Sequence, residues 1–260
     1  MDNDLEKIES ALEAARQIAA RHMSNPIEAQ FKAGGDPVTS ADVELDKVLK
    51  DHLCKNGEGW LSEETVDNPS RLERRRVWIV DPLDGTREFV QGIGEWCISV
   101  ALFEDGSLSA AGILNPAKDQ LFLGSLQNGI TLNGQKVKVT DRDELNGAKV
   151  LASRSEVKRG EWDRFMDGPF DVIPSGSVAY KLALVSAGLA DATFTLVPKN
   201  EWDIAAGVLL VEAANGRVVD KDGNKFGFNR PKTLVSGLIA SGKQLFGQLK
   251  NLLEITVAKN

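Results

Sequence analysis

One stretch restricts the fold of this chain more than any other: Trp78-Ile79-Val80-Asp81-Pro82-Leu83-Asp84-Gly85-Thr86. Its apolar, β-branched opening reads as a buried strand. That strand runs into a carboxylate, and Pro82, which has no N–H to give a ladder, predicts a turn there. A second carboxylate follows, then Gly85, which tolerates backbone angles other residues avoid, and Thr86 at the start of a predicted helix. Two acids therefore lie beside the N–H groups of a helix start, which bind phosphate oxygens. Hard cations such as Mg²⁺ take oxygen ligands and share them with phosphates. A strand, an Asx turn and a helix cap without chemistry account for the same residues, and this motif alone leaves both readings open.

Hydrophobic periodicity organises the rest. Leu5, Ile8, Leu12, Ala15, Ile18 and Ala19 recur at helical spacing, and Gly34-Gly35-Asp36-Pro37 breaks that helix off. A second helix follows Ser40, with Ala41, Leu45, Val48 and Leu49 on one face. Strands are predicted over 77–80, 97–103, 108–114, 120–123 and 136–139, with hairpin signals at Glu104-Asp105-Gly106 and Asn133-Gly134. Beyond about residue 148, apolar runs at 149–152, 171–173, 193–197 and 217–219 alternate with helical stretches near 157–166, 177–188 and 203–214. The first half thus reads α+β and the second α/β. The expected units are 1–147, with most of the acidic motifs, and 148–260, with Asp203 and the substrate-side residues. No flexible linker separates them, so a layered sandwich of helices and two sheets fits best.

Composition narrows the function. The chain carries 31 Lys and Arg against 38 Asp and Glu, a net charge of −7, which argues against a nucleic-acid partner. The run Arg74-Arg75-Arg76 leads directly into Val77-Trp78-Ile79-Val80 and reads as the solvated start of a strand. No apolar run approaches the ~18 residues of a membrane span, and the acidic start Met1-Asp2-Asn3-Asp4 is unlike a signal peptide. Cys54 and Cys97 lack metal or redox spacing and are expected as free thiols, so a cytoplasmic setting without a membrane partner is expected. His22 and His52 do not form a zinc motif, and Gly92-Ile93-Gly94 lacks the third glycine of a dinucleotide loop, at Cys97. Trp60, Trp78, Trp96 and Trp202 are expected to pack rather than stack on a ligand.

Three further acidic segments accompany the first. Leu61-Ser62-Glu63-Glu64-Thr65 ends an apolar stretch, Glu201-Trp202-Asp203 opens an apolar helix, and Asp36-Pro37-Val38-Thr39-Ser40-Ala41-Asp42 precedes another. Each has a bland reading as loop or cap. Their combination and order resemble the inositol monophosphatase family of metal-dependent, lithium-sensitive phosphomonoesterases. The motifs that carry the resemblance are Asp36–Asp42, Ser62-Glu-Glu-Thr65, Trp78–Thr86 and Trp202-Asp-Ile-Ala-Ala-Gly207.

That resemblance implies an α-β-α-β-α sandwich of the inositol monophosphatase and fructose-1,6-bisphosphatase type. It implies two or three Mg²⁺ ions, with Mn²⁺ as a substitute, a small-molecule phosphate monoester as substrate, and a homodimer. Glu63, Asp81 and the Leu83 carbonyl look like ligands of a first ion, and Asp81, Asp84 and Asp203 like ligands of a second. Gly85 and Thr86 are expected to hold the phosphate. Thr86 with Asp42, and Glu63, look like the groups that activate water. The physics agrees, since converging carboxylates take up protons unless cations neutralise them, and two divalent ions activate water and stabilise leaving oxygens.

A rival enzyme with an aspartyl nucleophile would show D-x-D-G-T, and this chain is one residue longer between its acids. On substrate, the acid that inositol-specific relatives place seven residues before the Trp-Asp aspartate is Leu196 here. Ser153-Arg154-Ser155 and Ser175-Gly176-Ser177-Val178-Ala179-Tyr180-Lys181 resemble elements of the bisphosphate nucleotidase branch. Arg154, Ser177 and Lys181 are therefore expected on the substrate, which is taken as 3′-phosphoadenosine 5′-phosphate, hydrolysed to AMP. Inositol-1-phosphate, histidinol phosphate, fructose bisphosphate and NADP are alternatives, and a regulatory, protein-binding member of the family is the alternative of another class.

Overall fold

The computed structural model describes residues 3–24, 29–31, 37–55 and 57–253. Helix α1 (Asn3–Met23) precedes the short hairpin β1 (Ala29–Phe31) and β2 (Pro37–Thr39), then α2 (Ser40–Leu53). Strands β3 (Gly59–Ser62) and β4 (Arg76–Asp84) lead to α3 (Thr86–Val90) and to the meander β5 (Cys97–Glu104), β6 (Ser107–Asn115), β7 (Gln120–Ser125), β8 (Gly129–Leu132) and β9 (Gln135–Val137). The chain continues through β10 (Lys149–Ser153), α4 (Arg154–Lys158), α5 (Asp163–Met166), β11 (Asp171–Ser175), α6 (Val178–Ser186), β12 (Ala192–Thr195) and β13 (Lys199–Asn200). It closes with α7 (Glu201–Ala213), β14 (Gly216–Val219), β15 (Leu234–Val235), β16 (Leu238–Gly242) and α8 (Lys243–Leu252).

Five layers result, as the sequence predicts. A seven-stranded sheet runs in order from β3 to β9, and a five-stranded sheet has the order β11-β10-β12-β16-β14. Period-two alternation gives the first sheet two apolar faces. Trp78, Val80, Ile98 and Val100 pack under α1 and α2 with Ile8, Leu12, Leu45 and Leu49. The opposite face, with Val77, Ile79 and Ala101, meets Ala179, Ala183, Ala205 and Leu209 of α6 and α7. Those same helices turn Leu182, Ile204 and Val208 to Leu151, Leu238 and Ala240 of the second sheet. Trp162, Phe165, Leu245 and Phe246 cover its far side. Apolar residues surround α7 on all sides because both of its faces are buried between sheets.

The meander turns follow the expected chemistry. Asp105 and Gly106 have φ 49° and 90°, and Asn133 and Gly134 have 49° and 78°. Two successive positive φ angles suit the twist of a tight hairpin, and Asn, Asp and Gly adopt them with little strain. Cys54 and Cys97 are free thiols. Of the arginine run, Arg76 is ion-paired to Asp4, Glu58 and Glu104, and Arg75 to Asp105, so charge that would otherwise attract anions is neutralised internally.

Differences concentrate where periodicity is weak. The stretch expected as one helix near 157–166 is two short ones, α4 and α5, with Gly160 between them at φ 78°. Several elements, among them β1, β2, β8, β13, β15, β16 and α8, have no counterpart in the sequence reading. Residues 32–36, including Asp36, lie outside the described residues. Strand β4 continues past Pro82 to Asp84 instead of turning at the proline. Asp81 pairs with Ser99 and Asp84 with Cys97, so two residues of β4 oppose one of β5, a β-bulge. Proline is tolerated at a bulge because the ladder is already interrupted there.

Close packing of α6 on α7 depends on Gly207, where an added Cβ would stand 2.5 Å from Leu182 Cβ. Gly207→Ala is expected to lower stability by about 1–3 kcal/mol through overpacking. Urea denaturation measures this, and an unchanged midpoint would mean that the helices separate at no cost.

Candidate functional site

The bulge determines which acids meet. Residues three apart in a regular strand face opposite sides of the sheet. The extra residue at Pro82-Leu83 cancels that alternation, so Asp84, like Asp81, lies on the face toward α6 and α7. Asp81 is buried, and its Oδ1 accepts the Leu83 N–H at 3.0 Å. Glu63 arrives from the end of β3, which runs parallel to β4 and is paired to it through Ser62 and Val80. Asp203 arrives at the first turn of α7, where its Oδ2 accepts the Asn200 N–H at 2.8 Å in a capping box. Carboxylate oxygens of Glu63, Asp81 and Asp203 all lie within 4.8 Å of one another.

Two acids on α2 organise the neighbouring loops. Asp42 and Asp46 are one helical turn apart and share the buried face of α2 with Leu45 and Leu49. Asp42 Oδ2 accepts both the N–H and the hydroxyl of Thr39 at 2.7 Å, and its Oδ1 lies 3.1 Å from Thr86 Oγ1. Thr86 Oγ1 is also 3.0 Å from the Leu83 carbonyl. Asp46 accepts hydrogen bonds from Ser62 and Thr65, which flank Glu63 and Glu64. Its role was visible in the sequence only as an acid on an otherwise apolar helix face.

Gly85 has φ 100° and caps α3, with an added Cβ only 3.0 Å from the Glu95 carbonyl and from Trp96. That combination of positive φ and close approach admits glycine alone without rearrangement. Gly85 and Thr86 line a pocket of about 360 Å³ together with Glu63, Asp81, Asp84 and Asp203.

The sequence-selected substrate residues also border this pocket, and their side chains have protein partners. Arg154 is bound by both oxygens of Glu95, at 2.6–3.2 Å. Lys181 is buried, and its Nζ meets the Ser177 carbonyl at 2.8 Å and those of Ser175 and Gly176 at 3.5 Å. Ser177 Oγ donates to Asp84 Oδ2 at 2.6 Å. Sequence reasoning missed Lys199, which also borders the pocket; its ammonium lies 3.5 Å from the buried carboxylate of Glu156. Trp202 lies half-buried on the wall. Neither histidine belongs to the site: His22 bonds Glu44, and His52 bonds the Val48 carbonyl of its own helix.

Burial, with charge crowding second, raises the proton affinity of Asp81 and Asp203. Burial, reinforced by Glu63, Asp84 and Asp203, holds the Asp81 carboxyl well above its ordinary range. Enclosure, and then Asp84, pushes Asp203 up to about 8. Asp42 is also raised, by burial, against the hydrogen bonds of Thr39 and Thr86. Desolvation moves the Lys181 ammonium the other way, down to about 8. A site of close, oxygen-only donors that otherwise hold protons suits a hard divalent cation, Mg²⁺ or Mn²⁺.

A sequence profile of the inositol monophosphatase family matches residues 2–256. The chain belongs to the inositol monophosphatase family. It is an enzyme of that family, a metal-dependent hydrolase of phosphate monoesters. Its relatives include the Nus factor SuhB of Xylella fastidiosa, 34% identical over 82% of this chain and 80% of that protein. An inositol-1-monophosphatase of Mesorhizobium japonicum is 32% identical over 84% of this chain and 85% of its own length. Among solved structures, the Thermotoga maritima IMPase superposes with a TM-score of 0.86 at 26% identity, covering 98% of this chain and 97% of that one. No helix among the described residues is long and apolar enough to cross a membrane.

Proton uptake gives a direct test. The folded pKa of Asp203 lies above its unfolded value, so its contribution to stability is fully present below pH 3.8 and lost as pH rises through about 8. With chelator present, Tm is expected to fall across that window, and the Tm gain from added Mg²⁺ to grow across it. Asp203→Asn should raise Tm in chelator and shrink the Mg²⁺ gain. A Mg²⁺ gain independent of pH would contradict the crowded-acid account.

Proposed function

We propose that this chain hydrolyses a small phosphomonoester by direct attack of water, with two divalent ions held by the acids of the pocket. Glu63, Asp81 and the Leu83 carbonyl would hold one ion, and Asp81, Asp84 and Asp203 the other. The observation that carries this reading is the meeting of Glu63, Asp81 and Asp203 within 4.8 Å, in the pocket that Gly85 and Thr86 also line. Bound there, the ions lower the pKa of water and neutralise charge on the phosphoryl oxygens.

The protein's own groups do the rest. With the Leu83 carbonyl given to an ion, the hydroxyl hydrogen of Thr86 would go to Asp42 Oδ1, the other acceptor within reach, which leaves oxygen lone pairs to accept a hydrogen from the attacking water. Asp42, whose proton affinity is raised, takes the proton that Thr86 passes on. Glu63 orients the same water. Backbone N–H groups at Gly85 and Thr86 hold the phosphate oxygens, so the phosphorus is positioned before attack and charge is stabilised without reorganisation.

The substrate is a phosphomonoester that carries a second anionic group, with 3′-phosphoadenosine 5′-phosphate as the leading candidate. Support comes from Lys199, which lines the pocket beside Arg154 and Arg159, whose guanidiniums are engaged by Glu95 and Glu161. Lys199 meets a single acid, at 3.5 Å, among the described residues, and so retains donors for a ligand. Leu196 stands where an acid would contact the hydroxyls of inositol, and it is an exposed hydrophobic residue. A second reading, inositol-1-phosphate, is favoured by the relative named inositol-1-monophosphatase. A regulatory role is suggested by the relative named Nus factor SuhB.

Phosphate release in Mg²⁺, with and without Li⁺, separates these readings. The panel is 3′-phosphoadenosine 5′-phosphate, inositol-1-phosphate, fructose-1,6-bisphosphate, histidinol phosphate and NADP. A hundredfold kcat/KM preference for the adenosine bisphosphate, ~2.7 kcal/mol of discrimination, is the expected result. Thr86→Ala is expected to lower kcat by about 10²–10⁴ with KM little changed. Preference for inositol-1-phosphate would select the second reading, and silence across the panel with Mg²⁺ bound would select the regulatory one. Asp84→Asn with wild-type turnover would overturn the site assignment.

A further inference from the structure

Asp84 is held from behind by the other half of the chain. Its Oδ2 accepts two hydrogen bonds, from Ser177 Oγ at 2.6 Å and from the Ala179 N–H at 2.7 Å. Both donors belong to the start of α6, where Ser177 is the N-cap and its Oγ also accepts the Tyr180 N–H at 2.9 Å. Because the single hydroxyl hydrogen of Ser177 goes to Asp84, the thiol of Cys97, 3.3 Å away, is the donor in its contact with Ser177. With Oδ2 doubly occupied, Oδ1 is the oxygen left to face the pocket.

The backbone of Ser177 is strained to reach this position. Its φ of 52° with ψ of 122° is uncommon for any residue but glycine, and such angles persist only where surrounding contacts impose them. Those contacts are present on each side. The Ser175, Gly176 and Ser177 carbonyls converge on the buried ammonium of Lys181, which has no carboxylate partner among the described residues. Glu95 Oε2 accepts the Gly176 N–H at 2.9 Å, and Arg154, gripped by Glu95, donates to the Pro174 carbonyl at 3.2 Å. Arg154, Lys181 and Ser177 thus converge on one segment and, through it, on one carboxylate.

We propose that Ser177 is a positioning residue for Asp84, and that the 174–177 segment, the end of β11 and its turn into α6, clamped by Lys181 and by the Arg154–Glu95 pair, is the rigid seat that aims Asp84 at its cation. This inference rests on the reading of Asp84 as a metal ligand. A lysine on three carbonyls is a poor contact for a substrate and a good one for a loop, because its ammonium donors are already directed at the backbone. The seat also spans the halves: Asp84 and Glu95 come from the seven-stranded side, and the segment and α6 from the other.

Ser177→Gly separates positioning from folding, since glycine relieves the positive φ yet removes the hydroxyl. Titration calorimetry with Mg²⁺ alone, and Tm in chelator, are measured for wild type, Ser177→Gly and Ser177→Ala. The expected result is a Tm for Ser177→Gly equal to or above that of wild type, with Mg²⁺ affinity weakened about 10–100-fold in both variants, the range typical of outer-shell substitutions. Mg²⁺ affinity within twofold of wild type in the folded glycine variant would overturn the proposal. So would losses of affinity that track losses of Tm across the two variants. A wild-type protein that neither binds Mg²⁺ nor releases phosphate would instead remove the reading of Asp84 on which the inference rests.

Discussion

Repulsion among acids in one enclosed pocket is the constraint on which the rest of the structure depends. Glu63, Asp81, Asp84 and Asp203 border the same pocket, and burial together with neighbouring carboxylates raises the proton affinity of Asp81 and Asp203. Holding such groups together costs stability that the layers must supply. The sandwich does so by burying α6 and α7 on both faces, so that the start of α7, with Asp203, is fixed against both sheets. Cations, when bound, return part of that cost as binding linked to folding.

Each acid comes with its own support. The Leu83 N–H holds Asp81, Asn200 caps Asp203, Asp46 grips both ends of the Glu63 loop through Ser62 and Thr65, and α6 seats Asp84. Two helices from different layers, α2 and α6, therefore approach β4 from opposite faces and fix its carboxyl end between them. The hydrogen bonds of Ser177 and Ala179 to Asp84 tie the start of α6 to the end of β4 at this point.

Much of this was legible in the sequence because the motifs are local. The apolar run of β4, the glycine after Asp84 and the acid opening an apolar helix at Asp203 each specify a strand end or a helix start by short-range chemistry. Hydrophobic periodicity gave helices layered on two sheets, and the order of the layers followed from the family resemblance that these motifs carry. What stayed hidden was set by tertiary contact. Pro82 signals a turn by itself, yet pairing with β5 extends the strand into a bulge that alters which way Asp84 faces. Arg154 and Lys181 carry charges that suit a phosphate, but Glu95 and three carbonyls, distant or indistinct in sequence, already engage them. The two-residue strands β13 and β15 offer too few residues for periodicity to register.

The most direct measurement of the central claim is a crystal structure with Mn²⁺, located by its anomalous scattering. The account predicts one peak bound by Glu63, Asp81 and the Leu83 carbonyl, and a second bound by Asp81, Asp84 and Asp203, with Asp84 coordinating through the oxygen turned away from Ser177. Full occupancy of Mn²⁺ elsewhere, or no peak among these acids at saturating Mn²⁺, would contradict it.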